Sequence, residues 1–111
     1  MIAEEALFRA SAELAAAEKA RSAGFEGRAR VSARRAAGIA VRSYLGNRGI
    51  PPGTTSAFDI LRVLRDEHDT PDEIRQVIDH LLMRVNEDFQ LPAQVDLIAE
   101  TRWLIQILNK D

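Results

Sequence analysis

The sequence predicts an all-α fold, an up-and-down bundle of four or five helices that forms a single domain over residues 1–111. No segment alternates apolar and polar residues as a half-buried strand does, and β-branched residues are sparse. Apolar residues instead recur at helical spacing in several stretches. Glycines, prolines and capping residues separate these stretches and set the order of the helices.

Two long helices are predicted in the first half of the chain. The first is expected over residues 2–23, with Gly24 as its stop signal. The second is expected from residue 27 to residue 45 or 46, where a glycine-rich turn follows. The next stretch, Ile-Pro-Pro-Gly-Thr-Thr at 50–55, is a loop, because proline lacks the amide hydrogen that a helix interior needs.

Capping signals predict three shorter helices in the second half. Ser56 is the expected N-cap of a third helix over residues 57–67. Thr70 and the proline after it are the expected start of a fourth helix, which runs to about residue 85. A Leu-Pro pair opens a fifth helix over residues 91–109.

The composition excludes several classes of protein. The chain has 111 residues, of which 46% are hydrophobic and 29% charged, so it is too apolar to be disordered. It contains no cysteine, which excludes disulfides, iron–sulfur clusters and thiolate zinc sites. No apolar run approaches membrane-spanning length, and the acidic start of the chain is unlike a secretory signal. We therefore expect a cytoplasmic protein with no membrane contact, no metal and no cofactor.

Charge is distributed unevenly along the sequence. The net charge is −2, yet residues 28–48 hold six arginines and no acid, and residues 59–111 hold 12 acids against 6 bases. Within the block, Arg28, Arg35 and Arg42 are seven residues apart and form a line along the second helix. The arginines either neutralise the acidic half within a bundle or dimer, or bind an anion or nucleic acid. Our hypothesis is that this line binds an acidic partner surface or a nucleotide phosphate.

Two predicted helices have apolar residues on more than one side, which favours self-association. On the second helix a face of small residues is accompanied by another apolar strip that includes Val31, Val41 and Leu45. On the fifth helix Trp103 and Ile107 lie opposite the predicted core stripe. These five residues are the candidate interface of a homodimer. The alternative for Trp103 is that it covers a loop of its own chain.

Candidate catalytic groups are few, since the only histidines are His68 and His80. An arginine that holds a phosphate and a histidine that moves protons could cleave RNA through its own 2′-hydroxyl, and Arg75 and His80 are the candidate pair. Five residues along a helix turn through about 140°, so only a dimer would bring two copies of the pair together. His68, at a helix end, is expected to bind carbonyls there. The acidic residues of 66–73 favour a solvated corner over a metal site.

The order of these features resembles a known family of small helical proteins. The segments that carry the resemblance are Ala6-Leu7-Phe8-Arg9-Ala10, the run from Ala29 to Ala37 that leads into Tyr44-Leu45, the Gly-Ile-Pro loop, Ile60-Leu61-Arg62-Val63-Leu64 and Arg84-Val85-Asn86-Glu87-Asp88-Phe89. Over nearly the whole chain they resemble the HEPN domain family, prokaryotic helical bundles. The resemblance implies a homodimer.

The same resemblance implies three kinds of function. Members of the family are partners of small nucleotidyltransferases, nucleotide- or RNA-associated modules, or ribonucleases. The ribonucleases begin their Arg-x4–6-His motif with Arg-Asn and usually follow it with an aromatic residue, whereas here Gln76 follows Arg75 and Leu81 follows His80. We therefore expect a non-catalytic binding module. The alternative is a metal-independent ribonuclease that uses Arg75 and His80 at a dimer interface.

Overall fold

The computed structural model describes residues 1–83 and 95–110, and within these residues the chain is helical with no strand. The five helices are α1 (Glu4–Ser22), α2 (Glu26–Asn47), α3 (Ala57–Asp66), α4 (Asp72–Leu82) and α5 (Leu97–Leu108). The predicted all-α bundle is confirmed, and the predicted bounds of α1, α2 and α3 agree within two residues. No helix of the described residues is long and apolar enough to cross a membrane.

Helices α1 and α2 pack as an antiparallel hairpin through small side chains. The hairpin turns at Gly24, whose φ of 86° suits glycine because it has no Cβ. At the far end the Ala3 amide donates to the Ser43 hydroxyl at 2.8 Å, which ties the start of α1 to α2. The buried alanines of the two helices, which let the axes approach closely, are Ala10, Ala17, Ala20, Ala29, Ala33, Ala36, Ala37 and Ala40.

Helix α2 is the centre of the bundle and contacts α1, α3 and α5. Val41 and Leu45 are fully buried on it, in a core shared with the large side chains of the other helices. The prediction that these two residues form a dimer interface is therefore corrected. The sequence indicates that α2 is apolar on two sides, and at Val41 and Leu45 the second side is covered by helices of the same chain.

The beginning of α3 lies against α2 with almost no space between them. A Cβ on Gly38 would lie 3.0 Å from the Cβ of Ala57, closer than side chains normally approach. The Ser56 hydroxyl accepts a hydrogen bond from the Asp59 amide, so the predicted N-cap is confirmed. Glycine at position 38 thus fixes where α3 begins relative to α2.

The start of α4 differs from its prediction. Thr70 is buried, and its hydroxyl donates to the Leu64 carbonyl at 2.7 Å instead of capping α4. Pro71 takes the N-cap position without a side-chain hydrogen bond. The predicted end of α4 at residue 85 lies outside the described residues.

Helix α5 begins at Leu97, and its N-cap is Asp96. One carboxylate oxygen of Asp96 accepts hydrogen bonds from the amides of Ile98 and Ala99, both at 3.1 Å. The Leu-Pro pair at which we predicted the start lies outside the described residues. Asp96 was not predicted as the N-cap, because the proline is the stronger start signal in the sequence.

A charged cluster joins α5 to the α1–α2 turn. Arg21 donates two hydrogen bonds to Glu26, at 3.0 and 2.9 Å, and a third to Asp96 at 2.8 Å. The hydrogen bond from Arg21 lowers the pKa of Glu26. Burial acts to raise the pKa of Asp96, but Arg21 and the two α5 amides outweigh it and lower that pKa. The pKa of Arg21 is raised in return, first by its hydrogen bond to Glu26.

Candidate functional site

A groove of about 570 Å³ lies between α1, α2 and the beginning of α3. Its walls are mostly apolar, and its polar groups come mainly from arginines. The apolar lining residues are Ala6, Val31, Gly38, Ile39, Ala57, Phe58 and Ile60, and the polar ones are Arg9, Glu13, Arg34, Arg35, Arg42, Ser43 and Thr55. The lining has four arginines and one glutamate, so the formal charge of the groove is +3.

Three of these arginines have no partner among the described residues. Arg35 and Arg42 project from α2 into the groove, and Arg9 faces them from α1. All three are exposed, and none forms an ion pair or hydrogen bond with another described residue. Unpaired guanidinium groups in a concave site are suited to bind phosphate or carboxylate through parallel hydrogen bonds.

The fourth arginine, Arg34, is part of the framework. Its Nε donates to the Leu81 carbonyl at 2.7 Å and its Nη2 donates to the Met83 carbonyl at 3.0 Å, at the end of α4. Its guanidinium also lies 5.4 Å from the centre of the Phe58 ring. Arg34 therefore holds an aromatic wall of the groove in place.

The remaining arginines of the block contact their own chain outside the groove. Arg28, the first member of the predicted line, lies 5.0 Å from the centre of the Phe25 ring. Arg48 donates to Asp69 at 3.0 Å and to the Tyr44 hydroxyl at 2.7 Å. The line of three predicted binding residues thus divides: Arg35 and Arg42 line the groove and Arg28 does not.

Arg75 and His80 contact different neighbours within one chain. Arg75 donates to the Arg65 carbonyl at 3.1 Å and to the Glu67 carbonyl at 2.8 Å, at the end of α3. His80 lies on the other side of α4, where its Nδ1 is 2.6 Å from Glu100 Oε1 on α5. One chain therefore does not combine the two side chains in a site.

His68 lies beyond the end of α3 and is exposed. The carbonyls at that end are bound by Arg75, and His68 itself has no hydrogen bond within the described part of the chain. In that part, no group of three or more histidines and carboxylates is arranged to hold a metal ion. The acidic residues near α3 instead form ion pairs with arginines, as Asp69 does with Arg48.

The other predicted interface residues occupy two different surfaces. Val31 is 43% exposed and lines the groove. Trp103 and Ile107 are half-buried and pack against the core of their own chain. Among the large apolar side chains of the described residues, the most exposed is Phe8 on α1, at 76%.

The sequence pattern predicted two arginines of the groove, Arg35 and Arg42, but not the opposite wall. Arg9 is an isolated base in an acidic segment, so nothing in its neighbourhood singles it out. Phe58 follows the N-cap of α3, and only the packing of α3 on α2 brings its ring to the groove. The seven-residue spacing of Arg35 and Arg42 was the one usable signal.

Comparisons of the chain with protein-family models, with curated proteins and with solved structures return no match.

Proposed function

We propose that the protein is a cytoplasmic, HEPN-like binding module that anchors an anionic group in the groove through Arg35 and Arg42. The observation that carries this proposal is their lack of any described partner, although both line a concave surface. Other arginines of the block are engaged: Arg34 with carbonyls and Arg48 with a carboxylate. A guanidinium pair kept free in this way is available for an external anion.

The spacing of the pair indicates the size of the anion. Seven residues correspond to about 10 Å along a helix axis, so Arg35 and Arg42 can hold separate oxygens of an extended anion. A nucleotide phosphate chain has this character, as does an acidic surface of a partner protein such as a small nucleotidyltransferase. Arg9 on α1 would close the site from the other side.

The ribonuclease alternative has less support. The Arg75 guanidinium donates to two backbone carbonyls, and His80 contacts Glu100, so both groups have roles within their own chain. A phosphate would have to compete with these contacts. Among the described residues, Arg9, Arg35 and Arg42 of the groove form no ion pair or hydrogen bond with which a phosphate would compete, which is why we favour binding over cleavage.

Charge reversal at the groove tests the proposal. We expect ATP or an oligoglutamate peptide to bind the wild-type protein in calorimetry, and Arg35→Glu/Arg42→Glu to weaken that binding by at least about tenfold. Arg28→Glu is the control for charge reversal on the same helix, because Arg28 does not line the groove. Equal binding by the double variant, or no binding of either probe to the wild type, would contradict the proposal.

The homodimer is a second part of the proposal. It is supported by the phenyl ring of Phe8 on α1, which is 76% exposed and would be covered if two copies of the chain paired through α1. Light scattering after size exclusion should give twice the 12.4 kDa of one chain. Phe8→Ser should yield monomers, and Phe25→Ser, which removes another exposed ring, should not. A monomeric wild type would exclude the dimer.

A further inference from the structure

We infer that the groove binds a small amphiphilic anion, an organic phosphate or carboxylate whose aromatic or alkyl body lies against Phe58 and Ile39. The inference rests on the proposed function and narrows it, because it assigns a role to the apolar walls as well as to the arginines. It also specifies a ligand that neither bare phosphate nor a purely polar polyanion would satisfy.

The apolar and cationic groups alternate along one face of α2. Val31, Arg35, Ile39 and Arg42 follow one another at steps of four, four and three residues, which places them on the same side of the helix. All four line the groove. An anion held by Arg35 and Arg42 therefore lies directly above the Ile39 side chain, and the rest of the ligand must cover apolar surface.

The opposite apolar wall is fixed before any ligand arrives. Arg34 lies over the Phe58 ring and is itself held by two carbonyls at the end of α4. The start of α3 packs closely on α2 at Gly38, where an added Cβ would lie only 3.0 Å from the Ala57 Cβ. A preformed wall lowers the entropy that binding costs and favours a ligand of defined shape.

The size of the groove favours a small molecule over a macromolecule. Small-molecule sites have volumes of roughly 300–1,000 Å³, and the groove has about 570 Å³. A stable protein interface is a broad surface, of about 800 Å² on each partner. The arginines supply charge complementarity to the anionic end of a small molecule, whose separate oxygens Arg35 and Arg42 approach from either side of Ile39, and the apolar walls exclude water around its body.

Three probes separate the contributions of charge and apolar surface. Calorimetry compares naphthyl phosphate, which has both, with inorganic phosphate and with naphthol. We expect naphthyl phosphate to bind at least about tenfold more tightly than either of the others. Arg35→Ala/Arg42→Ala should reduce its affinity by at least about tenfold, and Arg28→Ala should leave it unchanged.

Two further variants test the apolar body. Ile39→Ala should lower the affinity for naphthyl phosphate by about fivefold without changing the affinity for inorganic phosphate. Ile107→Ala is the matched control, a half-buried isoleucine that packs on the core away from the groove. Val31→Ser should also weaken the binding of naphthyl phosphate. Because Val31 is exposed, this substitution does not disturb the packing of the core. Circular dichroism confirms that each variant is folded.

Each alternative outcome has a distinct meaning. Inorganic phosphate that binds as tightly as naphthyl phosphate would overturn this inference and leave the proposed function intact. A wild type that binds none of the probes, nor ATP, nor oligoglutamate would overturn both. Displacement of naphthyl phosphate by an RNA oligonucleotide, with affinity that falls steeply with salt, would overturn the small-molecule ligand in favour of nucleic acid.

Discussion

The guanidinium of Arg34 donates to the Leu81 carbonyl at 2.7 Å and so connects the middle of α2 to the end of α4. The last carbonyls of a helix have no partner within the helix, and a cation there is favourable to the helix dipole. Because Arg34 also lies over Phe58, one side chain joins α2, α3 and α4. Two neighbouring arginines of the same block thus have opposite roles: Arg34 holds the bundle together, and Arg35 lines the groove without a partner among the residues that the structure describes.

The variant Arg34→Ala should lower the free energy of unfolding by about 2–3 kcal/mol, because two carbonyls at the end of α4 lose a charged hydrogen-bond donor. Urea denaturation followed by circular dichroism measures the change. Arg35→Ala, the adjacent exposed arginine, should change stability by less than about 0.5 kcal/mol. Equal effects of the two substitutions would show that Arg34 has no special structural role.

Local sequence signals predicted the first three helices and failed where the backbone competes for the same side chain. Ser56 caps α3 as expected, since its hydroxyl oxygen accepts a hydrogen bond from the Asp59 amide. Thr70 has the same chemistry, but its hydroxyl donates to the Leu64 carbonyl at the end of α3. The sequence does not reveal which of two adjacent helix ends a hydroxyl will bind.

The candidate site was predictable only on one wall for a related reason. The spacing of Arg35 and Arg42 places them on one face, but it does not say that Arg28 will turn to Phe25 instead. The predicted interface at Val41 and Leu45 rests on their hydrophobicity. Hydrophobicity indicates that a side chain is buried but does not show which helix covers it. Only the tertiary contacts of α2 show that the covering helices belong to the same chain.

Arg75 and His80 should prove structural rather than catalytic. We expect labelled RNA to stay intact with the wild type and with His80→Ala in the absence of metal. Arg75→Ala should instead lower the free energy of unfolding by about 1–2 kcal/mol, because the end of α3 loses two hydrogen bonds. Gln76→Ala, at the next and exposed position, is the control for stability. RNA cleavage by the wild type that is lost in His80→Ala would restore the ribonuclease alternative.

The cluster of Arg21, Glu26 and Asp96 should make the free energy of unfolding depend on pH in the acidic range. The pKa values of Glu26 and Asp96 are lowered in the folded protein, so the folded state binds protons less readily than the unfolded state. The stability that they contribute is fully present above the ordinary carboxylate pKa of about 4 and is lost as the pH falls through the lowered values. Wild-type stability should therefore decline below about pH 4.

Arg21→Ala isolates that contribution. The difference in unfolding free energy between wild type and variant should be largest at neutral pH and should shrink towards pH 2 or so. It should stay below about 1 kcal/mol, because Glu26 is 42% exposed and Asp96 54% exposed, and solvent screens both. Adding salt should reduce it further. A difference that stays constant from neutral to acidic pH would show that Arg21 acts through packing alone.

Two glycines of α2 should respond in opposite ways to the same substitution. Alanine in a helix is favoured over glycine by up to about 1 kcal/mol, and at Gly46 the added Cβ meets no atom within 4 Å. Gly46→Ala should therefore raise the free energy of unfolding. At Gly38 the same Cβ lies 3.0 Å from the Ala57 Cβ and 3.2 Å from its Cα, so α3 must move away from α2.

The displacement of α3 should destabilise the fold by more than the helix propensity of alanine stabilises it. Gly38→Ala should therefore lower the free energy of unfolding by about 1–2 kcal/mol. The same movement shifts Phe58, which is the next residue after Ala57 and a wall of the groove. Gly38→Ala should therefore also lower the affinity for naphthyl phosphate, whereas Gly46→Ala should leave that affinity unchanged. Paired urea denaturation and calorimetry check both effects. If the two glycine variants had the same free energy of unfolding, the contact between α2 and α3 would accommodate an added methyl group. The groove would then lack the fixed wall on which selective binding depends.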